Sequence, residues 1–343
     1  MRVSVVVVNW NGARFLKNCL DSILIQSYTD LDILIIDNAS EDHSVQIIRE
    51  GYPQLRLIEN PENRGYCQGC NQGINSSSGS YVLILNPDTI LTPDFIKNLV
   101  SAIERDPRIG MVSGKLLRFD QTTLDTTGQF LRWNLTPLER GYGEKDIGQF
   151  DTPGYCFSTC GAAAFYRRAM LEDIKIKGEY FDGSFFTYYE DLDLGWRAQL
   201  FGWKCYYTPR ALAFHYRGGG LSGQLPVTHY PSPKVADKNP RIKSLLPQFS
   251  FFNKPSSLQR HILKNRYLTL LKNLGVKDFF LIFPSLFLFD PFIWIYVGLI
   301  QPKLLRILPD LLPLLPETWE KRRIIQSRRV VSASYIRSFL RFH

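Results

Sequence analysis

Between Val3 and Lys115 the chain repeats one alternation: a short unbroken apolar run, then a stretch whose apolar residues recur every three or four positions. "VSVVVV" (3–8) is the first run, of the kind a strand shows when both of its faces are covered. The loop "NWNG" follows, and then Phe15, Leu16, Cys19, Leu20, Ile23 and Leu24 fall at helical spacing. "LDILIID" (31–37), "LRLIE" (55–59), "YVLILN" (81–86) and "IGMVSGK" (109–115) read as four more strands. Between them lie a short helix that Ser40 would cap, a glycine-bearing helix over 65–77, and a helix opening at "TPDF" (92–95) with Thr92 as its cap. Strands and helices alternating at this spacing predict a mostly parallel central sheet with helices on both faces. Ligands bind such sheets beyond the carboxyl ends of the strands. Asn9–Gly12, Asp37–Ser40 and Asn86–Thr89 all follow strands, so they are expected on one rim.

After Lys115 the pattern loosens. Residues 116–160 read as short strands and loops with a lid-like character, and "GAAAFYRR" (161–168) is a small-residue segment. Leu192, Trp196 and Leu200 are four apart and predict one buried face of a helix over about 190–202. "WKCYYT" (203–208) and "ALAFHY" (211–216) read as two further strands, and "RGGG" ends the unit near residue 220. Residues 221–257, rich in Pro, Ser and Lys, read as a mobile loop or linker. In the C-terminal region, 258–343, the stretch 279–300 holds 17 apolar or aromatic residues out of 22. A straight helix of that length spans about 33 Å, close to a hydrocarbon core. Pro284 and the pair Asp290–Pro291 interrupt it, which predicts a re-entrant or surface-lying helical hairpin rather than a clean span.

Charge sharpens this division. Residues 1–257 carry 27 basic and 27 acidic side chains, whereas 258–343 carry 14 against 5, which accounts for the whole net charge of +9. A neutral body with a basic, apolar tail implies an anionic surface met by one end. The tail has no nucleic-acid motif, so nucleic acid is not an expected partner. A membrane leaflet fits better, and the chain is expected to be cytoplasmic, peripheral or monotopic on that membrane face. The opening "MRVSVVVVNW" breaks too early for a signal peptide and reads as a buried strand. The six cysteines, the pair Cys67/Cys70 included, lack a second ligand pair nearby and read as buried reduced thiols.

Chemistry concentrates in a few places. Asp88, just after a strand and stiffened by Pro87, suits a divalent cation whose other ligands are phosphate oxygens, or else a simple turn. Asp37 can accept a base N–H or cap a helix. Asn63, Arg64, Gly65 and Asn71 flank glycines that allow close backbone approach to a ligand. There is neither a Walker phosphate loop nor a dinucleotide fingerprint after the first strand. In "FFTYYEDLDLGWR" Asp193 and Arg197 are four apart and can pair, while Glu190 and Asp191 fall at a helix start behind an aromatic wall that includes Tyr189. Asp191 is there placed to take a proton from a hydroxyl. His215, before the glycine run, reads as a metal ligand, a phosphate contact or a structural residue.

Taken in order, "VSVVVVNWNG", "IIDNAS", "NRGYCQGCNQGI", "LILNPDT", "GAAAFYRR" and "FFTYYEDLDLGWRAQLFGWKCYYTPRALAFH" resemble family 2 glycosyltransferases of the GT-A fold, and the rhamnosyltransferase-like bacterial enzymes among them. "LKNRYLTLLKN" (263–273) fits the tail of that group. The resemblance implies an inverting, metal-dependent glycosyltransferase. It would move a sugar from a nucleoside diphosphate donor, dTDP-rhamnose foremost, to a hydroxyl of a glycan or lipid-linked glycan in cell-surface polysaccharide synthesis. A sugar-nucleotide pyrophosphorylase and a non-catalytic membrane scaffold of the same fold are the alternatives. By the same resemblance Asp191 is the base, with Glu190, Asp193, Tyr189, Trp196 and Arg197 around the acceptor. Asn9, Asn11, Gly12, Asp37, Asn38, Asn63, Arg64, Gly65, Asn71 and Asn86 line the nucleotide. Asp88, with His215, holds Mg2+ or Mn2+. Asn86-Pro87-Asp88 stands where the family has D-x-D, so the first acidic residue of that motif is replaced by an amide.

Overall fold

The computed structural model describes residues 1–217, 251 and 254–341. Most of the expected linker, 221–257, lies outside them. The body is an α/β unit on a ten-stranded sheet. Its core strands are β1 (Val3–Asn9), β2 (Leu31–Asp37), β3 (Arg56–Glu59) and β4 (Tyr81–Leu85), all parallel, with β1 between β2 and β4. Next come β5 (Thr89–Leu91), β6 (Ile109–Arg118), β7 (Leu124–Thr126), β8 (Gln129–Arg132), β9 (Pro137–Glu139), β10 (Gly154–Cys156), β11 (Ala163–Arg167) and β12 (Lys204–His215). β11 runs antiparallel between β4 and β6, and β12 lies parallel to β6. β8 and β9 form a small hairpin beside the main sheet, joined by Leu340–Arg341.

Alternation along β1 explains the layers. Val5 and Val7 point into one core with helices α1 (Ala13–Leu24), α2 (Ser44–Gly51) and, past a third helix, α4 (Phe95–Ile103). Val6 and Val8 point into the other, with that third helix, α3 (Tyr66–Asn75), and with α5 (Arg168–Ile174) and α6 (Glu190–Leu200). Both faces of β1 are therefore dry, and all seven of its residues are buried. All six cysteines are buried and free.

Local details depart from the sequence reading where tertiary bonds compete with local propensity. Ser40 does not cap α2, because its hydroxyl donates to Asp37 Oδ1 at 2.6 Å. Thr92 does not cap α4; its hydroxyl donates to Leu212 O on β12 at 2.7 Å, and α4 starts after Asp94. The two strands expected over 203–216 are one strand, β12, that shifts register between Thr208 and Leu212 as it follows β6.

The tail is helical. Ser256–Asn273 and Leu315–Ser327 pack on the body, and Val276–Leu299 is a single continuous helix with Pro284 and Pro291 inside it. This corrects the expected hairpin. Asp290 is turned inward, where its carboxylate pairs with Arg266 of the helix Ser256–Asn273 at 2.9 Å, which leaves Lys277 in the first turn as the exposed charge of this helix. Asp278, Ile282, Leu286, Ile293 and Val297 form the inner stripe. Phe280, Phe287 and Phe292 stand outward at 72%, 64% and 65% exposure.

Candidate active site

The rim begins at the ends of β1 and β2. Asn9 Nδ2 donates to Asp37 Oδ1 at 2.8 Å, and Ser40 N donates to Oδ2 at 2.9 Å. Asp37 is buried but keeps acceptor capacity on Oδ2. Asn11, in the left-handed region at φ 52°, donates its N–H to Ser40 Oγ at 2.9 Å and accepts Glu41 N at 2.8 Å. Gly12 is required by close approach. A Cβ there would lie 2.2 Å from Asn9 Oδ1 and 3.2 Å from Pro87, so this glycine is where the β1 and β4 loops touch. Asn38 donates to Gly65 O at 3.1 Å, which brings the Asn63–Gly65 turn to the same rim. Gly65 has φ 89°, and a Cβ would strike Phe186 at 2.7 Å. Arg64 reaches outward, exposed, to Glu62.

Past β4, Asp88 is buried with its Oδ1 3.3 Å from His215 Nε2. The other ring nitrogen lies 2.8 Å from Asp125 Oδ2, and Arg217 pairs with the second Asp125 oxygen. Burial alone would lower the His215 pKa, but the bonds to Asp125 and Asp88 push it up to about 9. A carboxylate oxygen and an imidazole nitrogen at this separation suit a divalent cation completed by phosphate oxygens. Asp125 fixes the outer nitrogen of that imidazole, as an orienting carboxylate does behind a metal-binding histidine.

The base candidate joins this rim through one turn. Gly161 N donates to Asp191 Oδ2 at 3.0 Å. The next carbonyl, Ala162 O, accepts Asn86 N at 3.0 Å and the Thr89 hydroxyl at 3.3 Å. Tyr66, after Gly65, donates its hydroxyl to Gly161 O at 3.0 Å. The loops carrying Asp88, Gly65 and Asp191 therefore meet on two adjacent residues. Asp191 Oδ1 accepts Leu192 N at 2.7 Å, and Gln129 Nε2 reaches both Asp191 Oδ2, at 3.3 Å, and Glu139 Oε1, at 3.0 Å. Ligand atoms of Glu139, Cys160 and Asp191 lie within 4.8 Å of one another. Burial raises the Asp191 pKa against the pull of the Gly161 and Leu192 N–H groups, and burial also raises that of Glu139. Glu190 is pushed up to about 8, first by burial and then by the Asp191 charge. A carboxylate with a raised pKa is a stronger proton acceptor than a free one.

Several expected site residues are engaged elsewhere. Asn71 spends its amide on the loop before α6, donating to Phe181 O at 2.8 Å and accepting Phe181 N at 2.9 Å. Asp193 pairs with Arg197 at 3.3 Å as its spacing requires, but both are buried, and Asp193 also meets Lys272 at 3.0 Å. Arg197 donates to Ile174 O and Tyr180 O. Trp196 is core, edge-on to Phe157 at 5.8 Å. The side chains of Asn71, Asp193, Trp196 and Arg197 are buried and spent on internal packing and bonds. Tyr189 is buried and caps α6 from a left-handed conformation, φ 73°. Asp125, Gln129 and Glu139 carry no signal in the sequence. They sit on short strands in the irregular segment 116–160, where no periodicity marks them.

A family model for glycosyl transferase family 2 matches residues 4–175, half of the chain. The poly-beta-1,6-N-acetyl-D-glucosamine synthase of Staphylococcus epidermidis is 24% identical over 216 residues, 62% of this chain and 49% of that protein. The N-acetylglucosaminyl-diphospho-decaprenol L-rhamnosyltransferase of Mycobacterium tuberculosis is 26% identical over 250 residues, 66% of this chain and 79% of that one. The chain thus spans about half the length of the synthase and more of the rhamnosyltransferase. The solved structure of GalNAc-T7 with UDP, GalNAc and Mn2+ superposes with a TM-score of 0.57 at 14% identity, covering 82% of this chain and 49% of that one. The mannosyltransferase PcManGT of Pyrobaculum calidifontis, solved with GDP-Man and Mn2+, gives 0.50 at 16%, covering 98% and 85%. Both share the fold.

Proposed function

The chain belongs to glycosyl transferase family 2, and from that premise we propose that it moves a sugar, with inversion, from a nucleoside diphosphate donor to a hydroxyl of a glycan or lipid-linked glycan in cell-surface polysaccharide synthesis. The observation that carries the reading is the Gly161–Ala162 turn, which bonds Asp191 on one side and the Asp88 loop on the other. Asp37, Asn9 and Asn38 offer acceptors and donors to a nucleobase and ribose at one end of the rim. Asp191 accepts the proton of the attacking hydroxyl at the other. Gln129 and Gly161 N–H orient its carboxylate. Asp88 and His215 would hold a divalent cation, Mg2+ or Mn2+, which when bound neutralises charge on the departing diphosphate. The Mn2+ in the two superposed transferases supports a metal here. dTDP-rhamnose is the first donor to test, on the strength of the mycobacterial relative.

Membrane seating is part of the proposal. Beyond Lys277 in its first turn the outward face of Val276–Leu299 is apolar, the helix is long and apolar enough to cross a membrane, and basic residues cluster after it. One face is covered along its length, by the main core at Ile282 and Leu286 and by the tail's own Leu263, Leu304 and Ile307 at Ile293 and Val297, which favours lying in a leaflet over crossing it.

The deciding experiment is Asp191→Asn. Transfer should be lost while nucleoside diphosphate binding, read by titration calorimetry, stays within about twofold of wild type. Transfer at the wild-type rate removes the base assignment. In parallel, Asp88→Ala should abolish the difference between nucleotide titrations with and without Mn2+; an unchanged difference removes Asp88 from the cation site.

A further inference from the structure

The loop that feeds α6 is gripped from the tail. Tyr188 and Tyr189 both have positive φ, 68° and 73°, and neither is glycine. Left-handed backbone at two successive bulky residues is strained and persists only where the surroundings impose it. The surroundings are the tail helix Ser256–Asn273. Asn265, fully buried, donates its side-chain amide to Thr187 O at 2.8 Å and to Tyr188 O at 2.7 Å. Lys264 donates to Ser184 O at 2.6 Å, and His261 stacks on Phe186 with centroids 5.2 Å apart. Residues 261, 264 and 265 share one helix face.

The other side of the same loop touches the rim. Phe186 O accepts Tyr66 N at 2.8 Å, and Phe186 covers Gly65. Tyr189 O accepts the first helical N–H of α6, from Asp193 at 2.8 Å, so the peptide planes at 187–189 set the direction in which α6 starts. Asp191 is two residues on. An amide suits the Asn265 position, because its two N–H groups serve two neighbouring carbonyls at once and it carries no charge to bury.

We propose that Asn265 is a positioning residue for Asp191: it locks the left-handed Tyr188–Tyr189 turn and so aims the start of α6 at the reacting hydroxyl. The tail is on this view a working part of the catalytic site, beyond any role in seating the protein. The inference rests on the reading of Asp191 as the base.

The test uses the full chain. Asn265→Ala should lower kcat roughly ten- to hundredfold, the scale of loss expected when a catalytic group is misplaced by about an ångström, with donor KM and nucleoside diphosphate affinity little changed. Adding Tyr188→Gly should then restore a measurable part of kcat, because glycine adopts the left-handed turn without being held there. Loss of packing alone would not be rescued by removing a second side chain. Asn265→Ser, a smaller change that keeps one donor, is run beside it and should fall between wild type and Asn265→Ala; it carries the test if the alanine variant does not fold. The proposal is overturned if the folded variants turn over within about twofold of wild type. It is equally overturned if kcat and nucleotide affinity fall together, or if Tyr188→Gly deepens the loss. Asp191→Asn separates the two readings. If that variant is dead while Asn265→Ala runs normally, only the positioning role fails; if it is active, the base assignment fails.

Discussion

At the scale of single residues, buried carboxylates close to one another are pushed in opposite directions by their surroundings. Asp182 is drawn well below the ordinary carboxylate range: burial opposes this, but the Lys272 and Lys321 ammonium groups outweigh it. Glu190 goes the other way, to about 8, because burial and the neighbouring Asp191 charge both disfavour its ionised form. Unfolded Glu190 releases its proton near pH 4.5, whereas the folded protein keeps it until about pH 8. In that window the native state binds more protons than the unfolded state, so stability falls as pH rises through it and levels off above. Glu190→Gln removes the proton from the balance. Its Tm should match wild type near pH 5 and exceed it near pH 8.5, as differential scanning calorimetry across that range would read; parallel pH profiles for the two proteins would contradict this. The sequence makes Asp37, Asp88, Asp191 and His215 visible, since each follows a strand or opens a helix. Asp125, Gln129 and Glu139 are invisible there, because what brings them to the candidate site is contact between segments far apart in the chain. Asp125 meets His215 across 90 positions and Gln129 meets Asp191 across 62, and no local spacing encodes either.

At the scale of elements, the periodicity of α6 is legible in the sequence and its meaning is not. Leu192, Trp196 and Leu200 do mark a buried face, but the opposite side is buried too, because the tail covers it through Asn273 and Lys272. Trp196 is therefore a core residue, and truncating it should cost about 3–5 kcal/mol of stability, the range for large aromatics in cores. Urea denaturation of Trp196→Ala checks the value. A rise in acceptor KM without loss of stability would return Trp196 to the acceptor pocket. The β1–β4 strands read correctly because continuous apolar runs have few other uses. The helix Val276–Leu299 reads as broken in the sequence because two prolines usually end a helix. Here the helix continues through both prolines, and Asp290 is satisfied by Arg266 of the helix Ser256–Asn273 on its inner side. Phe280, Phe287 and Phe292 occupy the opposite, outward face. Replacing all three by serine should leave the unfolding midpoint close to wild type, since exposed changes usually cost under about 0.5 kcal/mol each. The same variant should move the protein from the membrane pellet to the supernatant in a detergent-free fractionation.

At the scale of the whole molecule, the charge asymmetry that suggests a separable basic tail has a second reading. Three of the tail's cations, Arg266, Lys272 and Lys321, are buried, and two of them meet body carboxylates: Lys272 lies between Asp182 and Asp193, and Lys321 sits 2.8 Å from Asp182. Both carboxylates belong to the body, one in the loop before α6 and one inside it. Removing a partner from a buried ion pair leaves the other charge stranded at about 3–5 kcal/mol. A chain cut before Ser256 would strand Asp182, leave Asp193 with Arg197 alone, and also release the Thr187 and Tyr188 carbonyls held by Asn265. Such a chain should be poorly soluble or fully unfolded, with no recoverable transfer activity even toward a water-soluble acceptor. The triple serine variant, in contrast, should be soluble and keep its turnover on that acceptor. Comparing these two proteins separates seating from catalysis: a soluble, active truncation would mean that the tail only anchors, whereas loss in the truncation alone means that body and tail share one folded site.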